Sequence, residues 1–245
     1  MGALYHAEAL PLNSVVGLPG FYSTAQQGTE ALQTMLKDGP LRDEFLAAGV
    51  TPIFGFVLPP YQVLAKKHLG VPADWNGLDI RTSGSTQAMT ARALGAVGIS
   101  IPGPEVYTAV ERGRLDAVLF PLPSVPGYKL NEVVSHISSN GSFGGYSFVM
   151  AIRSDLFDGL SADVQAKMIE LGGEAALHVA MAQDESVQGL LTQWKADGID
   201  TYSFTDAELV EIRDNLIAVS SDWVERIKSD SAAEVLDQYR TLTSQ

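Results

Sequence analysis

Gly77-Leu78-Asp79-Ile80-Arg81-Thr82-Ser83-Gly84-Ser85 is the stretch around which the rest of this 245-residue chain is organised. It reads as a short apolar strand that ends in an arginine, then a loop of small residues, then the start of a helix. That order sets a permanent cation beside backbone N–H groups and the positive end of a helix dipole. A planar guanidinium there can grip both oxygens of an organic carboxylate. On residue type alone, a structural ion pair that braces the strand end fits Arg81 equally well.

The same alternation continues outward. Val50 to Leu58, rich in Ile, Phe and Val, reads as a buried strand closed by Pro59-Pro60. Ser85 or Thr86 caps a helix that runs to about Leu94 and ends at Gly95. Ile99 to Ile101 is the next strand. Pro104-Glu105 opens a helix that ends at Arg112-Gly113-Arg114, and Leu115 to Phe120 is a strand stopped by Pro121. This β-α-β-α-β rhythm with short links predicts parallel strands and right-handed crossovers. In such sheets ligands bind beyond the carboxyl ends of the strands. Arg81 and Phe120 both stand at such ends, so they should face one opening.

Before this unit, residues 10–24 read as irregular buried backbone. Thr24 caps a helix across 25–37, and a second helix covers Pro40 to Ala48. After it, Phe143 to Ile152 reads as a strand at an edge or crossing between lobes. From Ser161 the pattern turns helical, with Val164, Met168, Leu171 and Ala175 at helical spacing toward Trp194. The Gly172-Gly173 pair marks an expected bend. Ile199 to Ser203 suggests a short strand, Thr205 and Glu208 form a capping box for a helix to Lys228, and Ser231 to Leu242 is a last helix.

Composition excludes several functions. A net charge of −13 argues against nucleic acid and against adsorption on anionic lipid, while leaving room for a small anion in a locally basic site. The absence of cysteine removes disulfides, thiolate metal sites and cysteine nucleophiles. The four histidines show no metal-ligand spacing, no glycine-rich fingerprint supports a nucleotide, and Ser83-Gly84-Ser85 lacks a nucleophile-elbow pattern. No catalytic residue, cofactor or metal is therefore expected. No apolar run approaches the roughly 18 residues of a membrane span. Met1-Gly2-Ala3-Leu4-Tyr5-His6 has neither the basic nor the apolar part of a leader.

Four segments carry a family resemblance: Ala73-Asp74-Trp75-Asn76-Gly77-Leu78-Asp79-Ile80-Arg81; Leu94-Gly95-Ala96 with Glu105-Val106-Tyr107-Thr108-Ala109; Gly113-Arg114-Leu115-Asp116-Ala117; and Leu156 to Gln165. In this order they resemble the DctP-type solute receptors of TRAP (tripartite ATP-independent periplasmic) transporters. The resemblance implies an α/β, two-lobed fold like that of periplasmic binding proteins. Its sheet would be mostly parallel, its first lobe incomplete and its C-terminal helices long. Residues 1–60 would be the remnant of the first lobe and crossover, 61–150 the second ligand-binding lobe, and 151–245 the hinge strand and bridging helices. It also implies a periplasmic receptor, without enzymatic activity, that hands its ligand to a membrane permease.

Arg81 occupies the position of the family's carboxylate-gripping arginine. Elsewhere the pattern departs. Phe120 stands before Pro121 where many members place asparagine, the site of a second upstream arginine falls near Tyr61, and Gly103 replaces a common aromatic. The expected ligand is a small monocarboxylate with an apolar or aromatic body. Arg81, Phe120, Tyr61, the N–H groups around Ser83 and Gly84, Gly103 and Tyr146 would hold it. Position 1 corresponds to a point well inside the family chain, so roughly a quarter of the family's length, one wall of the cleft, is expected to be missing, leaving apolar surface uncovered. Rival readings are an α/β enzyme acting on a small carboxylic acid and a degenerate sensing or interaction module.

Overall fold

Strand-forming segments sort into two sheets. The structure, a computed structural model, describes Gly2, His6 and residues 8–244, so most of the hexapeptide read for a leader lies outside the described residues. The strands are β1 (Val50–Val57), β2 (Gln62–Ala65), β3 (Asp79–Thr82), β4 (Val97–Ser100), β5 (Ala117–Phe120), β6 (His136–Ser138), β7 (Ser147–Arg153) and β8 (Asp200–Tyr202). The larger sheet has the order β4-β3-β5-β2-β6-β8, and β1 pairs with β7 in a separate ribbon.

The parallel unit read from the sequence is present, since β3 lies parallel to both β4 and β5. The sheet as a whole is mixed, because β2 runs antiparallel to β5 and β6 while β6 and β8 are parallel. Sequence reasoning missed β2 and β6. Gln62-Val63-Leu64-Ala65 is buried at every position, so it shows no alternation, and the three residues of β6 are too few to carry a period. In the ribbon, Val50 faces Arg153 and Val57 faces Ser147, with a register shift between Pro52 and Phe54. Proline lacks the N–H that a regular ladder needs there.

The helices are α1 (Ala25–Met35), α2 (Pro40–Ala47), α3 (Ser85–Ala93), α4 (Gly103–Glu111), α5 (Ser154–Asp158), α6 (Ala162–Ala196), α7 (Asp206–Leu216), α8 (Val219–Arg226) and α9 (Ala232–Thr243). Thr24 caps α1 by accepting the Gln27 N–H at 3.1 Å, and Thr205 with Glu208 forms the capping box of α7. The helix expected from Thr205 to Lys228 breaks into α7 and α8 around Ile217 and Ala218.

The expected bend at Gly172-Gly173 does not occur, for α6 runs 35 residues without interruption. These glycines serve close approach instead. A Cβ on Gly172 would stand 2.2 Å from Phe54 Cδ1 of β1, and one on Gly173 would stand 2.8 Å from Gln33 Oε1 of α1. By this contact α6 lies along β1 and α1 with its first half. Its last turns place Leu191 and Trp194 in the core with Val106, Val118 and Ile137 beneath the larger sheet. Asp184, between the two halves, accepts the N–H groups of Ala25 and Gln26 at 2.8 and 2.9 Å.

Residues 10–24, read as irregular, contain a buried 3-10 helix over Leu12–Gly17. Trp223 Nε1 donates to Ser14 Oγ at 2.8 Å, and Asn13 Nδ2 donates to Ser147 Oγ of β7 at 2.9 Å. The N–H groups of Leu12 and Asn13 donate to the Glu44 carboxylate of α2 at 2.5 and 3.1 Å.

Two predictions follow from this packing. Gly172→Leu should destabilise the protein by about 1–3 kcal/mol in urea unfolding, because the added side chain must displace the Phe54 ring. Glu44 supplies a pH dependence. Burial pushes its carboxyl up to about 7 from 4.5, against the pull of the two N–H groups. Its contribution to stability is therefore fully present below pH 4.5 and is lost as pH rises through about 7. Glu44→Gln should flatten the stability profile across that window, as measured by urea unfolding at stepped pH.

Candidate functional site

The larger sheet presents Arg81 at the carboxyl end of β3, between β4 and β5. The side chain is 2% exposed. Its Nε donates to the Ile101 carbonyl at 3.0 Å, just past β4, and Nη1 donates to the Leu119 carbonyl of β5 at 3.1 Å. The guanidinium carbon stands 5.0 Å from the centre of the Phe120 ring. No carboxylate of the described residues forms an ion pair with it. The ion-pair brace that residue type left open is thus not what holds Arg81. Two neutral carbonyls and a ring face fix the cation and leave its charge uncompensated.

Arg81 opens into a cavity of about 180 Å³, lined also by Tyr61, Gly103, Phe120, Tyr128, Tyr146 and Phe148. Phe120 sits at the end of β5 and Tyr61 just before β2, their rings 6.3 Å apart and tilted by 39°. From the β1–β7 ribbon come Leu58, just past β1, Tyr146, just before β7, and Phe148 within it. Tyr128 enters from a short 3-10 turn, with its ring 5.2 Å from Phe120 and nearly perpendicular to it. Such edge-to-face packing is the favoured geometry for aromatic pairs.

Gly103 explains how Tyr128 fits. A Cβ there would lie 2.9 Å from Tyr128 Cε1, so the missing side chain makes room for a ring from elsewhere in the fold. Sequence reasoning saw only the loss of an aromatic at 103. Tyr128, Phe148, Leu58 and Ser124 also line the cavity and were not foreseen. Ser124 and Tyr128 follow Phe120 on the 3-10 turns beyond β5, and Leu58 and Phe148 lie close to Tyr61 and Tyr146, but which of these neighbours turn into the cavity is decided by the tertiary fold.

The structure separates Ser83 and Gly84 from the remaining expected residues. Neither lines the cavity. Both the N–H and the hydroxyl of Ser83 donate to Gln87 Oε1, at 2.9 and 2.8 Å, and Gln87 Nε2 donates to the Gly145 carbonyl at 3.4 Å. Gln87, one helical turn along α3, takes the place at the helix start that a ligand carboxylate was expected to fill. Gly84 is the extended residue before α3. Arg81, Phe120, Tyr61, Gly103 and Tyr146 converge on the cavity, and Ser83 and Gly84 stand apart from it.

The cavity lining supplies one formal charge, that of Arg81, and no Asp, Glu, His or Lys is among its described residues. Ser124 and the tyrosines are its other side chains with hydrogen-bonding capacity. Among the described residues no metal-ligand set exists there.

The family model described as DctP, bacterial extracellular solute-binding protein, family 7, matches residues 11–226. Over 154 residues the chain is 31% identical to the 2,3-diketo-L-gulonate-binding periplasmic protein of Escherichia coli, covering 60% of this chain and 46% of that protein. The ectoine-binding periplasmic protein of Halomonas elongata is 23% identical over 73% of this chain and 52% of its own. The chain thus spans about half the length of the curated relatives it matches. Among solved structures, a TRAP solute-binding protein from Rhodoferax ferrireducens with copurified benzoate aligns with a TM-score of 0.88 at 21% identity, covering 100% of this chain and 77% of that one. A TRAP periplasmic solute-binding protein from Bordetella bronchiseptica with bound mandelate aligns with a TM-score of 0.84 at 24% identity, covering 100% of this chain and 79% of that one. The α/β fold is that of the two-lobed TRAP solute-binding proteins.

The seating of Tyr128 over Gly103 can be tested without any ligand. Gly103→Val should cost about 1–3 kcal/mol by overpacking. Because both changes act on the same space, the double variant with Tyr128→Ala should recover part of that cost. A double-mutant cycle by chemical unfolding should return a coupling of about 0.5–3 kcal/mol.

Proposed function

The chain belongs to family 7 of the bacterial extracellular solute-binding proteins, the DctP family, and on that premise we propose that it is the receptor of a TRAP transporter for a small aromatic monocarboxylate, acting in the periplasm and presenting its ligand to a membrane permease. In this reading residues 1–60 contribute to the first lobe, 61–150 form the second, and the segment 151–245 bridges them.

One observation carries the proposal: a guanidinium that is 2% exposed, oriented by two carbonyls, with no anionic partner among the described residues. An isolated buried charge is costly, and a ligand carboxylate entering the cavity supplies the missing counter-charge. The Arg81 fork still has Nη2 available after its two carbonyl bonds, so the carboxylate meets a directed donor as well as a charge. The rest of the wall selects for a ring. Tyr61, Phe120, Tyr128, Tyr146 and Phe148 offer faces and edges, whereas a sugar acid would need several further polar groups to satisfy its hydroxyls. At about 180 Å³ the cavity is smaller than typical drug-sized sites, which suits a single ring. The benzoate and mandelate held by the two structural neighbours belong to the same chemical class.

Binding proceeds without turnover in this reading, since among the described residues no acid or base other than tyrosine lines the cavity to move a proton at neutral pH. Calorimetric titration tests the proposal. Benzoate, phenylacetate and mandelate should bind more tightly than malonate, and Arg81→Ala should weaken them by about 2–5 kcal/mol, as for other buried charge pairs. Undiminished binding by Arg81→Ala, or a preference for the dicarboxylate, would overturn it.

A further inference from the structure

Beyond β5 the chain is built for stiffness. Pro121, Pro123 and Pro126 punctuate the run Phe120-Pro121-Leu122-Pro123-Ser124-Val125-Pro126-Gly127-Tyr128, and each fixes its own φ. The run folds into two short 3-10 turns, Leu122–Ser124 and Pro126–Tyr128. The Ser124 N–H donates to the Pro121 carbonyl at 3.1 Å, and the Tyr128 N–H donates to the Val125 carbonyl at 3.2 Å. Leu122 and Val125 are buried in the core that also holds Phe120, Val106 and Trp194, which pins the segment from beneath. From this rigid support Ser124 and Tyr128 reach the Arg81 cavity.

The protein itself makes no use of their hydroxyls. Neither Ser124 Oγ nor Tyr128 Oη forms a hydrogen bond with any described residue. Other hydroxyls of the same region are engaged: Ser138 Oγ donates to Gln62 Oε1 at 2.9 Å, and Tyr107 Oη donates to Glu132 Oε2 at 3.4 Å. Covering a fixed hydroxyl with an apolar ligand leaves it unsatisfied, whereas a ligand that pairs with it gains a hydrogen bond at little ordering cost.

Position and charge narrow the partner. The Phe120 ring packs against the Arg81 guanidinium, 5.0 Å from its centre, and against the Tyr128 ring, 5.2 Å away at 79°. Phe120 thus keeps the cation and Tyr128 apart. A ligand group that meets the Tyr128 hydroxyl therefore stands off from the carboxylate that meets Arg81. A neutral hydroxyl suits Ser124 and Tyr128, because each can both donate and accept. A second carboxylate does not, since Arg81 is the single formal charge among the described lining residues.

We propose that Ser124 and Tyr128 recognise a hydroxyl on the ligand's ring, so that the preferred solute is a ring-hydroxylated aromatic monocarboxylate. This rests on the reading of the cavity as an aromatic monocarboxylate site and adds a second polar contact to it. An α-hydroxyl, one carbon from the carboxylate, stays beside Arg81, while a phenolic hydroxyl is carried across the ring. Tyr128 is 37% exposed, so a ligand reaches its hydroxyl without displacing core packing.

Calorimetric titration of the whole chain with benzoate, 3-hydroxybenzoate, 4-hydroxybenzoate and terephthalate tests the proposal. At least one hydroxybenzoate should bind about tenfold more tightly than benzoate, and terephthalate should bind more weakly than either. The Ser124→Ala/Tyr128→Phe double variant removes both hydroxyls and keeps the aromatic ring. In it the hydroxybenzoate-to-benzoate affinity ratio should fall to about one. Tyr107→Phe, whose hydroxyl meets Glu132 outside the cavity, should keep the original ratio. Equal binding of benzoate and both hydroxybenzoates, a preference that survives in the double variant, or tightest binding of terephthalate would each overturn the proposal. The first two outcomes leave the monocarboxylate reading standing, and Arg81→Ala examines that reading separately by weakening plain and hydroxylated acids alike. Failure of every acid to bind removes both. Circular dichroism of each variant separates lost binding from lost fold.

Discussion

A charged side chain almost out of contact with water, held in place by two carbonyl oxygens from the strands on either side of it, sets the terms for the rest of the molecule. Arg81 reaches across both neighbours of β3 at once, donating to Ile101 beyond β4 and to Leu119 in β5. It cannot rotate to water without giving up both bonds. The surrounding apolar rings lower the local dielectric and strengthen any ion pair formed there. The central place of β3 between β4 and β5 is therefore a requirement of the site as well as a feature of the sheet.

The second sheet supplies the opposite wall. Leu58, Tyr146 and Phe148 belong to the β1–β7 ribbon or its ends, so the cavity lies at the seam where the two sheets meet. Two kinds of segment cross that seam: the chain at the ends of the ribbon, and α6, which touches β1 and α1 with one half and the second core with the other. Hinge closure in two-lobed proteins is absorbed by a few such crossing segments while each core moves as a body. On the ribbon, Met150 remains 55% exposed.

Charge is distributed unevenly over this framework. The chain carries a net −13, yet the cavity holds a lone guanidinium and no carboxylate among its described lining residues. Overall acidity and a local anion site are compatible because water screens exposed charges over about 10 Å at ordinary salt, whereas a buried cation acts on what it touches.

Local grammar made much of this legible. Arg81 at a strand end, the helix starts at Thr24 and Thr205 and each step of the β3-α3-β4-α4-β5 succession are written in residues a few positions apart, where backbone geometry and hydrogen bonding act directly, and the convergence of Arg81 with Phe120 follows from that succession through the parallel-sheet rule. Other features needed the folded chain. Gln87 claims the N–H of Ser83, and Tyr128 fills the space above Gly103. Gly172 admits Phe54 where a bend was expected. The fully buried β2 shows no period to read. The sequence by itself determined the strand-loop-helix succession around Arg81 and the capped helix starts, because those follow from neighbours along the chain. Which side chains share a space was decided only by tertiary packing, since excluded volume acts between residues that the linear order keeps far apart.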